Sequence, residues 1–345
     1  MGLSSSTGRN DPGSGEAGGS MTSGRFRAGD RVFVRSPEEI LSTIDGEGML
    51  EGVPFMPEML DWCGKPFHVQ RRVEKICADR FSMRRFPGHD VVILDGPRCD
   101  GSAHDGCKHG CRIFWKEAWL RPDDGADLAT VSATSLTTLR ARLKVKADEQ
   151  HYFCQSTRLH QATESFPGRR RLLTVRVALR EVWSGDLSIV EFVRLLSQWV
   201  VLKWQRKHGI DRQLRGTLKR TPTETLALKP GEIVRIKPLE QIVATLNHDR
   251  RNRGLVICYE MTRCCGKEAE VRYRVDRIID ETTGVMRELS DTVTLRNVSG
   301  CATLAEECLC KGQLGDCPRG ELMFWREIWL ERASRGDAVE PSKAT

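Results

Sequence analysis

The chain has 345 residues, 39% hydrophobic and 29% charged, with a formal net charge of +7, a composition that suits a globular protein of two or three domains. No run of about 18 apolar residues occurs, which excludes a membrane-spanning helix, and no basic stretch leads into an apolar one at the start, which speaks against a secretory signal. The expected setting is therefore cytoplasmic, where the 13 cysteines point to metal ligands and buried thiols and not to a disulfide framework.

Residues 1–24 and 334–345 hold few large apolar side chains and are expected to be disordered tails. A cysteine-rich β module follows over 25–122. Gly29-Asp30 reads as a turn and Val32-Phe33-Val34 as a short strand, with the look of the opening strand of an SH3-like barrel. Ser36, Pro37 and Glu39 then form the start of a helix: Ser36 as N-cap, Pro37 at the first helical position, Glu39 closing a capping box. Ile40, Leu41 and Ile44 give that helix its apolar side. Phe55 to Trp62 is expected to make a helical turn delivering Cys63. Phe67–Val73 and Val91–Leu94 read as strands, the second running towards Cys99. Beyond Cys107 and Cys111, the stretch Phe114–Leu120 is expected to be a strand that buries Trp115 and Trp119 and leaves Glu117 exposed.

The segment 131–208 differs in kind and is expected to be a basic helical domain, followed by a basic linker over 209–228. Together these residues hold 18 Lys and Arg against 8 Asp and Glu. Leu136, Leu139 and Leu143 mark one helix over 136–147, and a second is expected over 172–182. In the third, Ser188 and Glu191 form a capping box, and Ile189, Phe192, Val193, Leu196, Trp199 and Val200 follow the 3.6-residue period of a core-facing stripe.

A second cysteine-rich module over 229–333 repeats the first at an offset of 202 residues. Gly29 matches Gly231, Ile40 matches Ile242, Met59 matches Met261, Cys63 matches Cys265, and Cys99 matches Cys301. An insertion follows, and counting back from Phe324-Trp325 pairs Cys317 with Cys107. Matched glycines, cysteines and tryptophans at one offset establish an internal duplication.

Three equivalent cysteines per module approach the four-ligand set of a structural zinc site. The candidate ligands are Cys63, Cys99, Cys107 and Cys111 in the first module, with His104 as the alternative fourth, and Cys265, Cys301, Cys310 and Cys317 in the second, with Cys308 as the alternative. Buried free thiols are the competing reading, and they account better for Cys77, Cys154 and Cys258. A thiol-based enzyme is a further alternative, because His109 and Lys108 lie between Cys107 and Cys111. Pro318 to Glu321 stand there in the second module, so the pattern is not reproduced. No phosphate-binding loop, GxSxG or HExxH motif occurs. Arg169, Arg170, Arg171, Arg206 and Lys207 are candidates for neutralising nucleic-acid phosphates, although the aromatics near them lie on the apolar stripe and do not interleave with the charges.

The motifs Gly29-Asp30-Arg31-Val32, Met56-Pro57-Glu58-Met59, Cys63-Gly64-Lys65 and Phe114-Trp115-Lys116-Glu117-Ala118-Trp119-Leu120 resemble those of a family of uncharacterised bacterial proteins built from tandem cysteine-rich modules. Tyr152-Phe153-Cys154-Gln155-Ser156-Thr157 is similar to that family's inter-module motif, which raises Cys154 above a plain core thiol. The resemblance implies the tandem architecture and no activity. The expected protein is of the α+β class: two homologous β-rich modules, SH3-like, flanking a basic helical domain. The expected function is non-enzymatic: a zinc-stabilised binding or scaffolding protein with a protein partner. The alternatives are a thiol- or metal-dependent accessory enzyme and a nucleic-acid binder using 131–228.

Overall fold

The computed structural model describes residues 26–77, 83–124, 131–165, 182–183, 188–190, 192–194, 196–197, 214–296, 319–320 and 322–333. The expected helix at 172–182, save for its last residue, the candidate phosphate ligands Arg169, Arg170, Arg171, Arg206 and Lys207, and Cys301, Cys308, Cys310 and Cys317 lie outside them.

Strands form over the runs expected at 32–34, 67–73 and 91–94, and the second module repeats them. In the first module the strands are β1 (Arg31–Val34), β2 (Pro66–Arg72), β3 (Val91–Leu94), β4 (Trp115–Lys116) and β5 (Leu120–Pro122). In the second they are β6 (Ile233–Ile236), β7 (Glu268–Arg274), β8 (Thr292–Leu295), β9 (Phe324–Arg326) and β10 (Leu330–Arg332). They form two five-stranded antiparallel sheets, ordered β4-β3-β2-β1-β5 and β9-β8-β7-β6-β10. With few and short helices beside them, the chain is of the mixed α+β class.

The duplication extends to register. Val32 pairs with Phe67 in one sheet, and Val234 with Ala269, at the equivalent positions, in the other. Both long strands carry an irregularity at the same place, between Val69 and Arg71 and between Val271 and Tyr273. Such a bulge bends a strand and increases its twist. The helix α1 (Pro37–Leu41) carries the expected capping box between Ser36 and Glu39.

The stretch 114–120 is not one strand. β4 ends at Lys116, a 3-10 turn spans Glu117–Trp119, and β5 starts at Leu120. The turn carries the chain from one edge of the sheet to the other, and Trp115 and Trp119 both point into the core, fully buried, as do Trp325 and Trp329. The Trp119 indole N–H donates to Thr43 Oγ1 at 3.1 Å, and Trp329 donates to Thr245 at 3.0 Å. The same turn draws Glu117 inward, contrary to the expected exposure, and its twin Glu327 is also buried. Glu117 pairs with Arg72 and Glu327 with Arg274. A carboxylate at this depth requires such a partner.

The helix expected at 136–147 is α2 (Ala133–Arg140), capped by Ser132. Leu139, Cys154, Leu159 and Ala162 join the core of the first module, with Leu136 and Leu143 packed against it. The first part of the intervening segment therefore belongs to that core by packing. Residues 189–190, 192–194 and 196–197 are helical, and of the expected core-facing stripe Ile189, Val193 and Leu196 are 69%, 58% and 40% exposed while Phe192 is half-buried. The expected linker is packed as well, with Leu214 and Leu228 buried and Gly216 N–H donating to Asn247 O at 3.1 Å. No helix among the described residues is long and apolar enough to cross a membrane.

A hairpin of the second module, Arg277–Ile279 and Met286–Glu288, lies against the cysteine loop of the first. Lys108 N–H donates to Arg277 O at 2.9 Å, and Tyr152 N–H to Gly284 O at 2.8 Å. Cys107, Tyr152 and Ile279 bury one another in a small separate core.

Candidate metal centre

The loop after β3 is folded tightly on itself. Cys99 N–H donates to Cys111 O at 2.9 Å, His104 N–H to Gly101 O at 3.0 Å, and Cys107 N–H to His104 O at 3.1 Å. This winding, with α3 (Gln155–Arg158) packed behind it, brings Cys99, Cys107, Cys111 and Cys154 to one cleft with His104, His109 and Glu281. Six of these seven come from the first module and its following segment, and Glu281 comes from the second.

Two groups have all their ligand atoms within 4.8 Å of one another: Glu58, Cys99 and His104, and beside them His109, Cys111 and Glu281. The chain thus carries candidate metal-ligand groups. In the first, Glu58 Oε1 lies 2.6 Å from His104 Nδ1 and accepts from Cys99 Sγ at 3.7 Å and from Ala103 N–H at 3.3 Å. His104 Nε2 faces Phe153 O at 3.1 Å. That second contact fixes the ring, as a backbone carbonyl does for a ligating histidine. Burial would lower the His104 pKa, but Glu58 outweighs it and holds the imidazole above its ordinary value.

In the second group, His109 Nδ1 lies 3.2 Å from Cys111 Sγ, and His109 Nε2 is 3.7 Å from Glu281 Oε1. Ser156 Oγ donates to Cys111 Sγ at 3.3 Å. Glu281 also pairs with Arg319. Burial would raise its pKa, and Arg319, with His109 beyond it, holds the carboxyl below the usual range.

Both carboxylates keep one buried oxygen without a hydrogen-bond partner, Glu58 Oε2 and Glu281 Oε1. Glu58 is only 5% exposed. An orphaned buried acceptor is costly, and each such atom in a native structure calls for an explanation; a cation would satisfy both. The thiols are held in their neutral form. Burial, with Glu58 and Cys111 nearby, pushes Cys99 far above the ordinary thiol pKa. Burial raises Cys107 too, and takes Cys154 up to about 12, Cys111 adding to each. Such thiols stay neutral unless a cation replaces their proton, as metal binding does.

The expected ligand sets are rearranged. Cys99, Cys107 and Cys111 converge, but Cys63 does not line the cleft: it ends the 3-10 turn Pro57–Trp62 and packs in the first core. Burial takes its thiol to about 12, and its nearest charged influences are Asp61 and Glu38. Its equivalent Cys265 packs likewise against the second core. Cys154, which the sequence left outside the ligand sets, lines the cleft. Glu58 and Cys154 lie in motifs visible in the sequence; Glu281 carries no sequence signal at all. Among the described residues the cysteines form no disulfide. Set against protein-family models, curated proteins and solved structures, the chain finds no match.

Proposed function

We propose that the protein is a non-enzymatic, zinc-stabilised binding and scaffolding protein of the bacterial cytoplasm, built from two SH3-like modules. The observation that carries this reading is the pair of donor groups, Glu58, Cys99 and His104 and then His109, Cys111 and Glu281, set at a cleft that four thiols, two imidazoles and Glu281 line. Sulfur, imidazole and carboxylate donors in one dry site are the donor set of zinc. Glu58, Cys99 and His104 would hold one ion, with Cys154 nearby as a fourth ligand. His109, Cys111 and Glu281 offer a second position, with Cys107 beside it. The SH3-like reading is supported by the strand order, in which the last strand of each sheet returns beside the first after a 3-10 turn. A protein partner is supported by the exposed row Ile189, Val193 and Leu196, since contiguous exposed apolar surface marks interaction sites.

One observation favours the thiol-enzyme alternative: Cys111, His109 and Glu281 follow one another as a nucleophile, a base and an orienting carboxylate would. A single experiment separates the two. Metal is measured on the chain purified without added metal, then on Cys99→Ser, Cys111→Ser and Cys63→Ser variants. About one zinc per occupied site is expected, reduced in the first two variants and retained in Cys63→Ser, with Cys111 protected from alkylation until a chelator is added. A metal-free chain whose Cys111 alkylates fastest of all its thiols would replace zinc with nucleophilic chemistry.

A further inference from the structure

Beside the metal cleft, and sharing Cys99, Cys107 and Gly110 with it, the two modules enclose a more open groove of about 550 Å³. That lies within the range of small-molecule sites, about 300–1,000 Å³. Its first wall carries Trp62, Phe67, Arg98 and Lys108, and its second Arg272 and Tyr273. The three rings are half-buried. Asp100 is the one carboxylate lining it among the described residues.

The cations here are not neutralised from within. No ion pair joins Arg98, Lys108 or Arg272 to a carboxylate among the described residues. Arg98 is held rigidly by backbone carbonyls, donating to Gly110 O at 2.7 Å and to Gly320 O at 3.0 Å. Burial lowers its pKa, and the guanidiniums of Arg112 and Arg272 lower it further. Like charges gathered in a concave surface focus a positive potential that an anion relieves. Arg272 also stands over the Tyr273 ring, its guanidinium carbon 5.8 Å from the centroid.

We infer that this groove binds single-stranded nucleic acid, with phosphates on Arg98, Lys108 and Arg272 and bases stacked on Trp62, Phe67 and Tyr273. An acidic peptide would satisfy the cations and leave three rings wet. A duplex keeps its bases stacked inward, where rings on the walls of this groove do not reach them. Interleaved rings and cations along a groove are the pattern that unpaired strands require. This places the site at the junction of the modules and not in the basic segment between them.

The test is fluorescence anisotropy with the full chain, metal retained, and labelled oligothymidylate and oligouridylate of about 12 nucleotides, within the site sizes such grooves cover. Binding is expected to weaken with salt, log K falling by about 0.7 per phosphate contact for each unit of log salt. Lys108→Glu and Arg272→Glu are expected to weaken binding about tenfold or more and to flatten that slope by about 0.7 each. Tyr273→Ala is expected to weaken it about tenfold with the slope unchanged, since stacking is uncharged. Lys108 is exposed, so its variant keeps the test alive if Tyr273→Ala fails to fold. Preference for either oligonucleotide supports the site. No binding at about 50 mM salt, tighter binding of polyglutamate than of either strand, or binding lost in an Arg169→Ala, Arg170→Ala, Arg171→Ala chain but kept in Lys108→Glu and Arg272→Glu, would each overturn it.

Discussion

Glu39 holds the start of α1 through two contacts, accepting from the Ser36 backbone N–H at 2.9 Å and from Arg35 at 2.6 Å. Burial would raise its pKa, but the Ser36 N–H and Arg35 outweigh burial and hold the carboxyl below the usual carboxylate range. A depressed carboxylate stabilises the fold above its unfolded pKa, and the contribution is lost as pH falls through the folded value. Glu39→Gln keeps the capping geometry and removes the charge. It is expected to lower stability at neutral pH by roughly 0.5 kcal/mol after screening, with the gap closed by about pH 3. Urea titrations of both chains across pH give the answer, and a gap constant with pH refutes the assignment. Glu117 and Glu327 represent the opposite extreme. Sequence pattern places them on an exposed strand face, whereas the 3-10 turn swings both inward to Arg72 and Arg274. Glu327 also accepts from the N–H groups of Leu226, Ala227 and Leu228 at 2.6, 3.0 and 3.1 Å. It therefore fastens the chain entering the second module.

At the level of the element, the cysteine loop depends on one close approach. Gly101 has φ +71°, and a Cβ there would stand 2.1 Å from Cys107 O. The obstacle is backbone, so relief requires the loop to open. Gly101→Ala is expected to lower the melting temperature and the bound metal together. Gly106→Ala provides the control: its φ is +75° but nothing lies within 4 Å of the added carbon, leaving roughly 1 kcal/mol of backbone strain. Equal metal loss in the two variants would detach the loop from the metal. Cys63 stands apart from that loop. Its spacing to Cys99 recurs between Cys265 and Cys301, and Cys63 and Cys265 each follow a helical turn and pack on the core of their own module.

The whole molecule is assembled around the junction that the cysteine loop shares with the hairpin Arg277–Glu288. Gly110, φ +68°, marks a close approach: a Cβ there would lie 2.5 Å from Tyr273 Oη and 2.7 Å from Leu322 Cδ1. Gly110→Ala is expected to loosen the junction while leaving both sheets intact. Hydrogen exchange reads this directly. The amides of Lys108 and Tyr152, which donate across the junction, should lose protection, while those paired within the β1–β2 ladder keep it. Uniform protection in the variant would mean that the modules do not depend on this contact. The metal cleft and the groove lie on either side of it, with Cys99, Cys107 and Gly110 lining both.

By itself the sequence determined what depends on neighbours along the chain. The capping box at Ser36 and Glu39, the strands at Val32, Phe67 and Val91, and the duplication with its eventual common register all follow from local pattern. It also marked the cysteine loop as a ligand source through Cys99, Cys107 and Cys111. The tertiary structure alone decided which side chains meet. Cys154 reaches the cleft from beyond α2, Glu58 from the 3-10 turn before β2, and Glu281 from the other module. The apolar row at Ile189, Val193 and Leu196 shows the same division, since helical period reveals that a stripe exists and not what lies against it. Contacts between residues distant along the chain are selected by the closing of whole sheets and loops on one another, and no local spacing encodes which partner that closure will supply.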